Sequence, residues 1–368
     1  MSSTENHPLF QPAKLGSCEL RNRFIMAPLT RSRSDEKGLA SDLMAKYYAQ
    51  RSHDSGAGLI ISEATNISPL AYGYALTPGI YSEEQTQSWK KVTDAVHEKG
   101  GKIFCQLWHC GRISHKDLMP NGEKPLSASP IQADAEAFTQ EGKKQASEPQ
   151  EMSQTQILAT IKDYAHAAKC AKEAGFDGIE VHCANGYLLH QFIATQSNRR
   201  QDEYGGTIEN RLRFPLAVIE ACLEHWDAGQ VGVRIAPVSH FNDVSTEDPQ
   251  RDYEYFVDKL DKLSLAYIHV IEGNTGEERR TKIEFDYTQL KDKFSGQYIS
   301  NNCLDLKKAK QLFNDKKLDF ACFGRDFIAN PDLVKRFKEE ASLNELKEDG
   351  LYGGGEEGYT DYPFLENK

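Results

Sequence analysis

The stretch Gly178-Ile179-Glu180-Val181-His182-Cys183-Ala184-Asn185-Gly186-Tyr187-Leu188-Leu189-His190 decides how the chain is read. A short run with β-branched residues ends abruptly in His, Asn, Gly and Tyr. Three side chains able to hydrogen-bond a small molecule thus crowd into the turn after a strand. In α/β enzymes the chemistry sits at that end of a strand.

Working outward, the same unit recurs along the chain. Short apolar runs at 24–30, 58–64, 102–108, 231–237, 266–272, 298–302 and 319–325 join the quoted stretch as eight buried-type strands. Helical patterns lie between them, at about 41–53, 83–99 and 153–174 among others, with Ser153 placed as an N-cap and Gly100-Gly101 and Gly175 as stops. Eight strands each followed by a helix fit a closed (β/α)8 TIM barrel of the α/β class better than an open sheet. A two-stranded ribbon over 9–16 and 18–22, turning at Gly16-Ser17, would cap one end of the barrel. The polar stretch after the third strand, reaching about residue 150, is too long for a simple connection and is expected to be a lid-like insertion. No linker or change of composition divides the chain, so residues 1–368 are read as one domain.

Composition narrows the function classes. A net charge of -11 disfavours a phosphate-backbone binder, so no nucleic-acid partner is expected. No run approaches the ~18 apolar residues of a membrane span, and the first residues lack a basic start followed by an apolar core. The expected location is therefore cytoplasmic. The eight cysteines form no CxxC pair, which argues for reduced, buried thiols and against a disulfide framework, a zinc ribbon or an iron–sulfur site.

Strand ends carry the functional positions of such a barrel. Here they hold Pro28, Leu29 and Thr30; Glu63 and Ala64; Gln106 and Trp108; His182, Asn185 and Tyr187; Arg234; Glu272; Asn301 and Asn302; and Gly324 with Arg325. No lysine is among them, which disfavours a Schiff-base mechanism. Glu63, His182 and Glu272 are the only ligand types for a metal hydrolase, and no metal is expected. Neutral hydrogen-bonding groups with an arginine suit a planar polar heterocycle, that is, a bound organic cofactor. Gly324-Arg325 after the last strand stands where TIM barrels often hold a phosphate, although a turn glycine beside a surface ion pair is the plainer reading of two residues. No GxGxxG follows a strand, so any nicotinamide would visit transiently.

Four motifs carry a family resemblance: Met26-Ala27-Pro28-Leu29-Thr30-Arg31, Gln106-Leu107-Trp108-His109-Cys110-Gly111-Arg112, the His-x-x-Asn-Gly-Tyr-Leu-Leu of the opening stretch, and residues 202–211. The chain resembles, over nearly its whole length, the Old Yellow Enzyme family of FMN-dependent ene-reductases. It is similar in particular to the N-ethylmaleimide and nitroester reductases and the oxophytodienoate reductases. The resemblance implies non-covalent FMN, with NAD(P)H as transient reductant. The substrates would be small electrophilic alkenes: α,β-unsaturated carbonyls, maleimides, nitroalkenes and, further, nitroesters. Pro28, Leu29 and Ala64 would contact the flavin, Thr30 its O4, Gln106 its pyrimidine edge and Arg234 its N1 and O2. Asn302, Gly324 and Arg325 would hold the phosphate, despite Ser300-Asn301-Asn302-Cys303 standing where relatives often have glycines. His182, close to the flavin, would grip the substrate oxygen with Asn185, and Tyr187 would protonate the alkene. Trp108, Tyr74 and Tyr352 would line the substrate pocket, in a monomer or homodimer. His190 and the 202–211 segment are expected to support the loop. The alternatives are a flavin-binding redox sensor without turnover and, more distantly, a metal-dependent barrel hydrolase.

Overall fold

The computed structural model describes residues 6–276, 279 and 281–366. Eight parallel strands follow one another around a closed sheet: β1 (Phe24–Met26), β2 (Leu59–Ile61), β3 (Ile103–Trp108), β4 (Gly178–Cys183), β5 (Val231–Ile235), β6 (Tyr267–Ile271), β7 (Gln297–Asn301) and β8 (Phe320–Phe323). The ring closes between β3 and β4, where Gly178 pairs with Phe104 and Val181 with Leu107. All six residues of β3 and all six of β4 are buried, which is why these strands show no polar alternation.

Ten helices accompany the strands among the described residues: α1 (Asp42–Gln50), α2 (Glu83–Glu98), α3 (Gln154–Glu173), α4 (Leu188–Ile193), α5 (Ile208–Leu223), α6 (Pro249–Asp261), α7 (Tyr287–Lys293), α8 (Leu306–Asn314), α9 (Arg325–Ala329) and α10 (Leu333–Lys338). Ser153 caps α3 as expected: its Oγ accepts from the Gln156 N–H at 3.3 Å, and Gln156 Oε1 accepts from the Ser153 N–H at 2.9 Å. No described helix is long and apolar enough to cross a membrane. All eight cysteines are free and seven are buried, Cys303 being the partly exposed one.

The N-terminal ribbon pairs Ala13–Leu15 with Cys18–Leu20. Gly16 at its turn has φ +53°, and a Cβ there would lie 2.1 Å from the Gly229 carbonyl oxygen, so only glycine lets the ribbon come this close. The Ser17 N–H donates to that same oxygen at 2.8 Å. Leu15 and Leu20 close the barrel floor against Phe104, Tyr267, Ile299 and Phe320. Leu9 and Phe10 lie outside the ribbon, in a single 3-10 turn (Pro8–Phe10). Pro8 supplies the fixed φ for that turn, and His7 Nδ1 accepts from the Leu9 N–H at 3.3 Å.

The insertion after β3 is more ordered than its polar composition suggests. It carries an antiparallel hairpin, Glu136–Thr139 with Gly142–Gln145, and a parallel pairing of Leu126–Ser127 with Gln150–Glu151. Phe138 of the hairpin is tied by its backbone to the loop after β2: its N–H donates to Gly73 O at 3.1 Å and its carbonyl accepts from Ala75 N at 2.6 Å.

Buried cations fasten the C-terminal segment. Arg31 donates to the carbonyls of Gly350, Leu351 and Gly358 at 3.1, 2.9 and 2.8 Å. Arg33 adds a bond to Gly350 O at 2.9 Å, and Tyr47 stacks on Tyr359 at 4.0 Å. A further buried cation, Arg211 of α5, reaches Asp252 of α6 at 2.5 Å with both side chains almost wholly enclosed.

Removing one partner of such a pair leaves a buried charge uncompensated. Asp252→Ala is therefore expected to lower the unfolding free energy by about 3–5 kcal/mol. Urea denaturation followed by far-UV circular dichroism measures this; a loss under about 1 kcal/mol would show that the pair does not tie α5 to α6.

Candidate active site

The turn after β4 builds the site. Asn185 (φ +57°) and Gly186 (φ +72°) are both left-handed, which swings the chain from strand into α4, and Asn is among the few non-glycine residues that tolerate this region. His190 pins the turn: its Nδ1 accepts from the Gly186 N–H at 3.0 Å and its Nε2 meets Tyr253 OH at 2.9 Å. Gln191 Nε2 adds a bond to the Gly186 carbonyl at 2.7 Å.

Three side chains, His182 at the end of β4 and Asn185 and Tyr187 in the turn, hold the polar atoms of the site. Asn185 Oδ1 accepts from Thr275 Oγ1 at 2.8 Å, which orients the carboxamide and leaves its NH2 as the donor toward a ligand. His182 is buried, and its Nδ1 has no partner among the described residues. Burial first, and the nearby Arg234 cation second, hold its pKa well below the usual 6.5, so the imidazole is neutral. The Tyr187 hydroxyl lies 3.1 Å from that of Tyr74, and its ring stands edge-on to Trp108 at 4.9 Å. Burial and the neighbouring Tyr74 push its pKa well above 10, so it carries its proton at working pH.

A cavity of about 740 Å³ opens over the ends of β1, β5, β6, β7 and β8; His182, Asn185 and Tyr187 do not line it, and Thr275, which does, bonds Asn185. Pro28, Leu29, Arg234, Asn302, Gly324 and Arg325 all line it. Tyr352 lines it from the C-terminal segment, 58% exposed, with its ring 6.0 Å from Phe138. Phe138 in turn stacks on Tyr74 at 5.0 Å, and Tyr74 on Trp108 at 5.4 Å, so an aromatic wall runs from the insertion hairpin to β3. Ala64 packs with Trp108 and Tyr187 in the same cluster. Thr30 and Gln106 stand at or near the ends of β1 and β3 and do not line the 740 Å³ cavity.

Two expected phosphate residues are partly engaged elsewhere. Arg325 pairs with Glu348 at 2.5 Å, and both side chains are substantially exposed. Asn302 (φ +80°) spends its Nδ2 on the carbonyls of Glu272 and Asn274 at 2.9 and 2.8 Å, which leaves its backbone N–H as the donor toward a ligand. No group of three or more His, Cys, Asp or Glu suited to a metal occurs among the described residues. His109 uses Nδ1 to accept from the Gly111 N–H at 3.0 Å, a structural bond.

Several residues of the site carry no signal at a strand end. Glu180, buried inside β4, accepts from Gln106 Nε2 at 2.7 Å, Tyr267 OH at 3.0 Å and His269 Nδ1 at 2.8 Å. Burial would raise its pKa, but His269 and then Arg234 outweigh this and hold the carboxyl ionised. Thr275 lies in a loop and Phe138 in the hairpin of the insertion. Only the polar character of Glu180 within an apolar run could have marked it.

The sequence matches, over residues 8–344, the family described as NADH:flavin oxidoreductase / NADH oxidase. This chain belongs to that family. Its relatives include 12-oxophytodienoate reductase 1 of Oryza sativa subsp. japonica, 41% identical over 98% of this chain and 93% of that protein. A probable flavin mononucleotide-dependent alkene reductase of Leishmania infantum is 38% identical over 97% of each. Among solved structures, morphinone reductase in complex with tetrahydroNAD superimposes with a TM-score of 0.92 at 44% identity, over 98% of this chain and 99% of that one. The Old Yellow Enzyme homologue from Zymomonas mobilis gives 0.93 at 36% identity, over 97% and 99%. The Old Yellow Enzyme resemblance is thus borne out, and the protein is a flavin-dependent, nicotinamide-driven oxidoreductase of the ene-reductase type.

The buried histidines of this end predict a pH response. Burial holds His109 and His190 each at about 3. In the unfolded chain an imidazole protonates near pH 6.5. Between those values the unfolded state binds more protons, so stability is complete above about pH 6.5 and falls as pH drops towards 3, by up to ~1.4 kcal/mol per pH unit for each group. His190→Gln should flatten the acid limb of unfolding free energy against pH, measured by urea titration; an unchanged slope would remove His190 as a contributor.

Proposed function

We propose that the cofactor is FMN, held non-covalently over the strand ends and only partly within the 740 Å³ cavity, and that the enzyme reduces the C=C bond of small electrophilic alkenes. The whole chain, 1–368, serves this site as one domain. The donor set fits a flavin. Arg234 is buried with its Nε unpartnered among the described residues, and a cation at that place suits the edge where reduction adds negative charge. Gln106, its NH2 engaged by Glu180, has a carboxamide oxygen left to accept from a heterocycle N–H. Pro28, Leu29 and Ala64 offer backbone and apolar contact, and Thr30 a hydroxyl for O4. Asn302, Gly324 and Arg325 surround the place for the phosphate, with Arg325 shared between it and Glu348.

A flavin bound there would supply the hydride chemistry that couples NAD(P)H oxidation to reduction of the alkene. The protein does the rest by placement. The neutral His182 imidazole and the Asn185 NH2 hold the substrate's carbonyl or nitro oxygen, where negative charge grows as the hydride arrives. Tyr187 OH gives its proton to the α-carbon, and the Tyr74 hydroxyl at 3.1 Å donates to the phenolate that remains. Trp108, Tyr74 and Tyr352 shape the space the substrate enters, for α,β-unsaturated carbonyls, maleimides and nitroalkenes, with nitroesters as a further class.

The single observation that carries this reading is the grouping of three neutral donors at the end of β4 and in the turn after it, with Asn185 oriented by Thr275 and His182 Nδ1 without a partner among the described residues. Purified protein is expected to be yellow, or to regain flavin absorbance with FMN; failure of both would remove the cofactor. Tyr187→Phe should slow reoxidation by 2-cyclohexenone about 10²–10⁴-fold while sparing FMN reduction by NADPH, as read by stopped-flow absorbance. Equal loss in both half-reactions would rule out Tyr187 as the proton donor.

A further inference from the structure

Glu180 lies two residues before His182 and has no place in the chemistry just described. Its side chain is wholly buried, yet it is ionised, and three strands converge on it. In the sheet register Glu180 sits beside Gln106 on one side and Gly232 on the other, and Gly232 sits beside Tyr267. A Cβ on Gly232 would lie 2.1 Å from the Tyr267 ring, so the glycine is what lets that ring pass across β5 and deliver its hydroxyl to Glu180 at 3.0 Å. His269 of β6 adds Nδ1–H at 2.8 Å, and Gln106 of β3 adds Nε2–H at 2.7 Å. Arg234 of β5, beside both His182 and His269 in register, carries the opposing charge, and its Nη2 is fixed by Asn301 Oδ1 at 2.8 Å.

Two consequences follow from a carboxylate in this place. It accepts hydrogen bonds and cannot donate them, so Gln106 must turn its NH2 toward Glu180 and keep its oxygen as an acceptor. A buried negative charge also offsets part of the field of the buried Arg234, because little solvent intervenes to screen either.

We propose that Glu180 is a positioning residue for the cofactor: it fixes the orientation of Gln106 and, as counter-charge to Arg234, sets how strongly the reduced flavin is held relative to the oxidised one. The inference rests on FMN being the bound group and on Gln106 and Arg234 addressing it. Glu180 acts through these two side chains and touches neither cofactor nor substrate.

The test is the midpoint potential of FMN-loaded enzyme. Glu180→Gln removes the charge with little change of shape and leaves Arg234 uncompensated. The reduced cofactor should then gain about tenfold over the oxidised one relative to wild type, a rise of about 30 mV for two electrons. A potential unchanged or lowered, with FMN bound, overturns the inference. Glu180→Asp keeps the charge but shortens the reach to Gln106, and it also carries the test if Glu180→Gln does not fold. It should leave the potential near that of wild type while weakening FMN binding about tenfold through the lost bond. A potential that moves as far with Asp as with Gln excludes charge as the agent and overturns it equally. A merely structural role would alter yield and stability and leave the potential of bound FMN in place. Wild-type protein that takes up no FMN overturns the cofactor reading itself, an outcome distinct from a wild-type protein that binds FMN beside an unresponsive variant.

Discussion

A parallel sheet closed on itself has neither an edge nor a wet face, and that constraint organises this molecule. Each polar side chain on a strand must either find partners inside the barrel or emerge at its end. Glu180, Gln106, Tyr267 and His269 take the first course, and His182, Asn185 and Tyr187 the second, with β4 contributing Glu180 to the first set and, with the turn after it, the whole of the second. The interior network and the site above it are two levels of the same strands. The floor is sealed at the opposite end by the N-terminal ribbon, whose close approach depends on Gly16.

The same burial selects the protonation states. Low dielectric disfavours charge on an isolated group, so His182 is neutral and Tyr187 keeps its proton. Charge survives where it is matched, as at Glu180 with His269 and Arg234 and at Arg211 with Asp252, or where carbonyl oxygens surround it, as at Arg31. A site of neutral donors around one buried cation suits a reaction in which negative charge appears transiently on a small oxygen and then disappears by protonation.

Much of this was legible from residues alone. Fully buried strands read as continuous apolar runs, so β3, β4 and β5 lie inside their expected spans, and Ser153 announced its helix by cap chemistry. The same continuity hid what lay within the strands. Without alternation, nothing distinguishes an inward from an outward residue, so Glu180, Tyr267 and His269 could not be joined. The insertion defeated reading for another reason: its hairpin is held largely by backbone bonds to residues 73–75, which leave no mark in composition, and Phe138 therefore gave no hint of its place in the aromatic wall. The expected ribbon over residues 9–16 is too long at its start, because Pro8 and the His7 cap set a 3-10 turn there instead of a strand.

The fastening of the C-terminal segment bears on how specificity can change. Arg31 and Arg33 grip residues 350–358 by carbonyl oxygens, which every amino acid provides. Tyr352, which projects from this segment at the cavity, contributes nothing to that grip through its side chain. Anchorage and selectivity are thereby decoupled at this position: residue 352 can change, and with it the shape of what the roof admits, while the carbonyl grip on the segment stays the same.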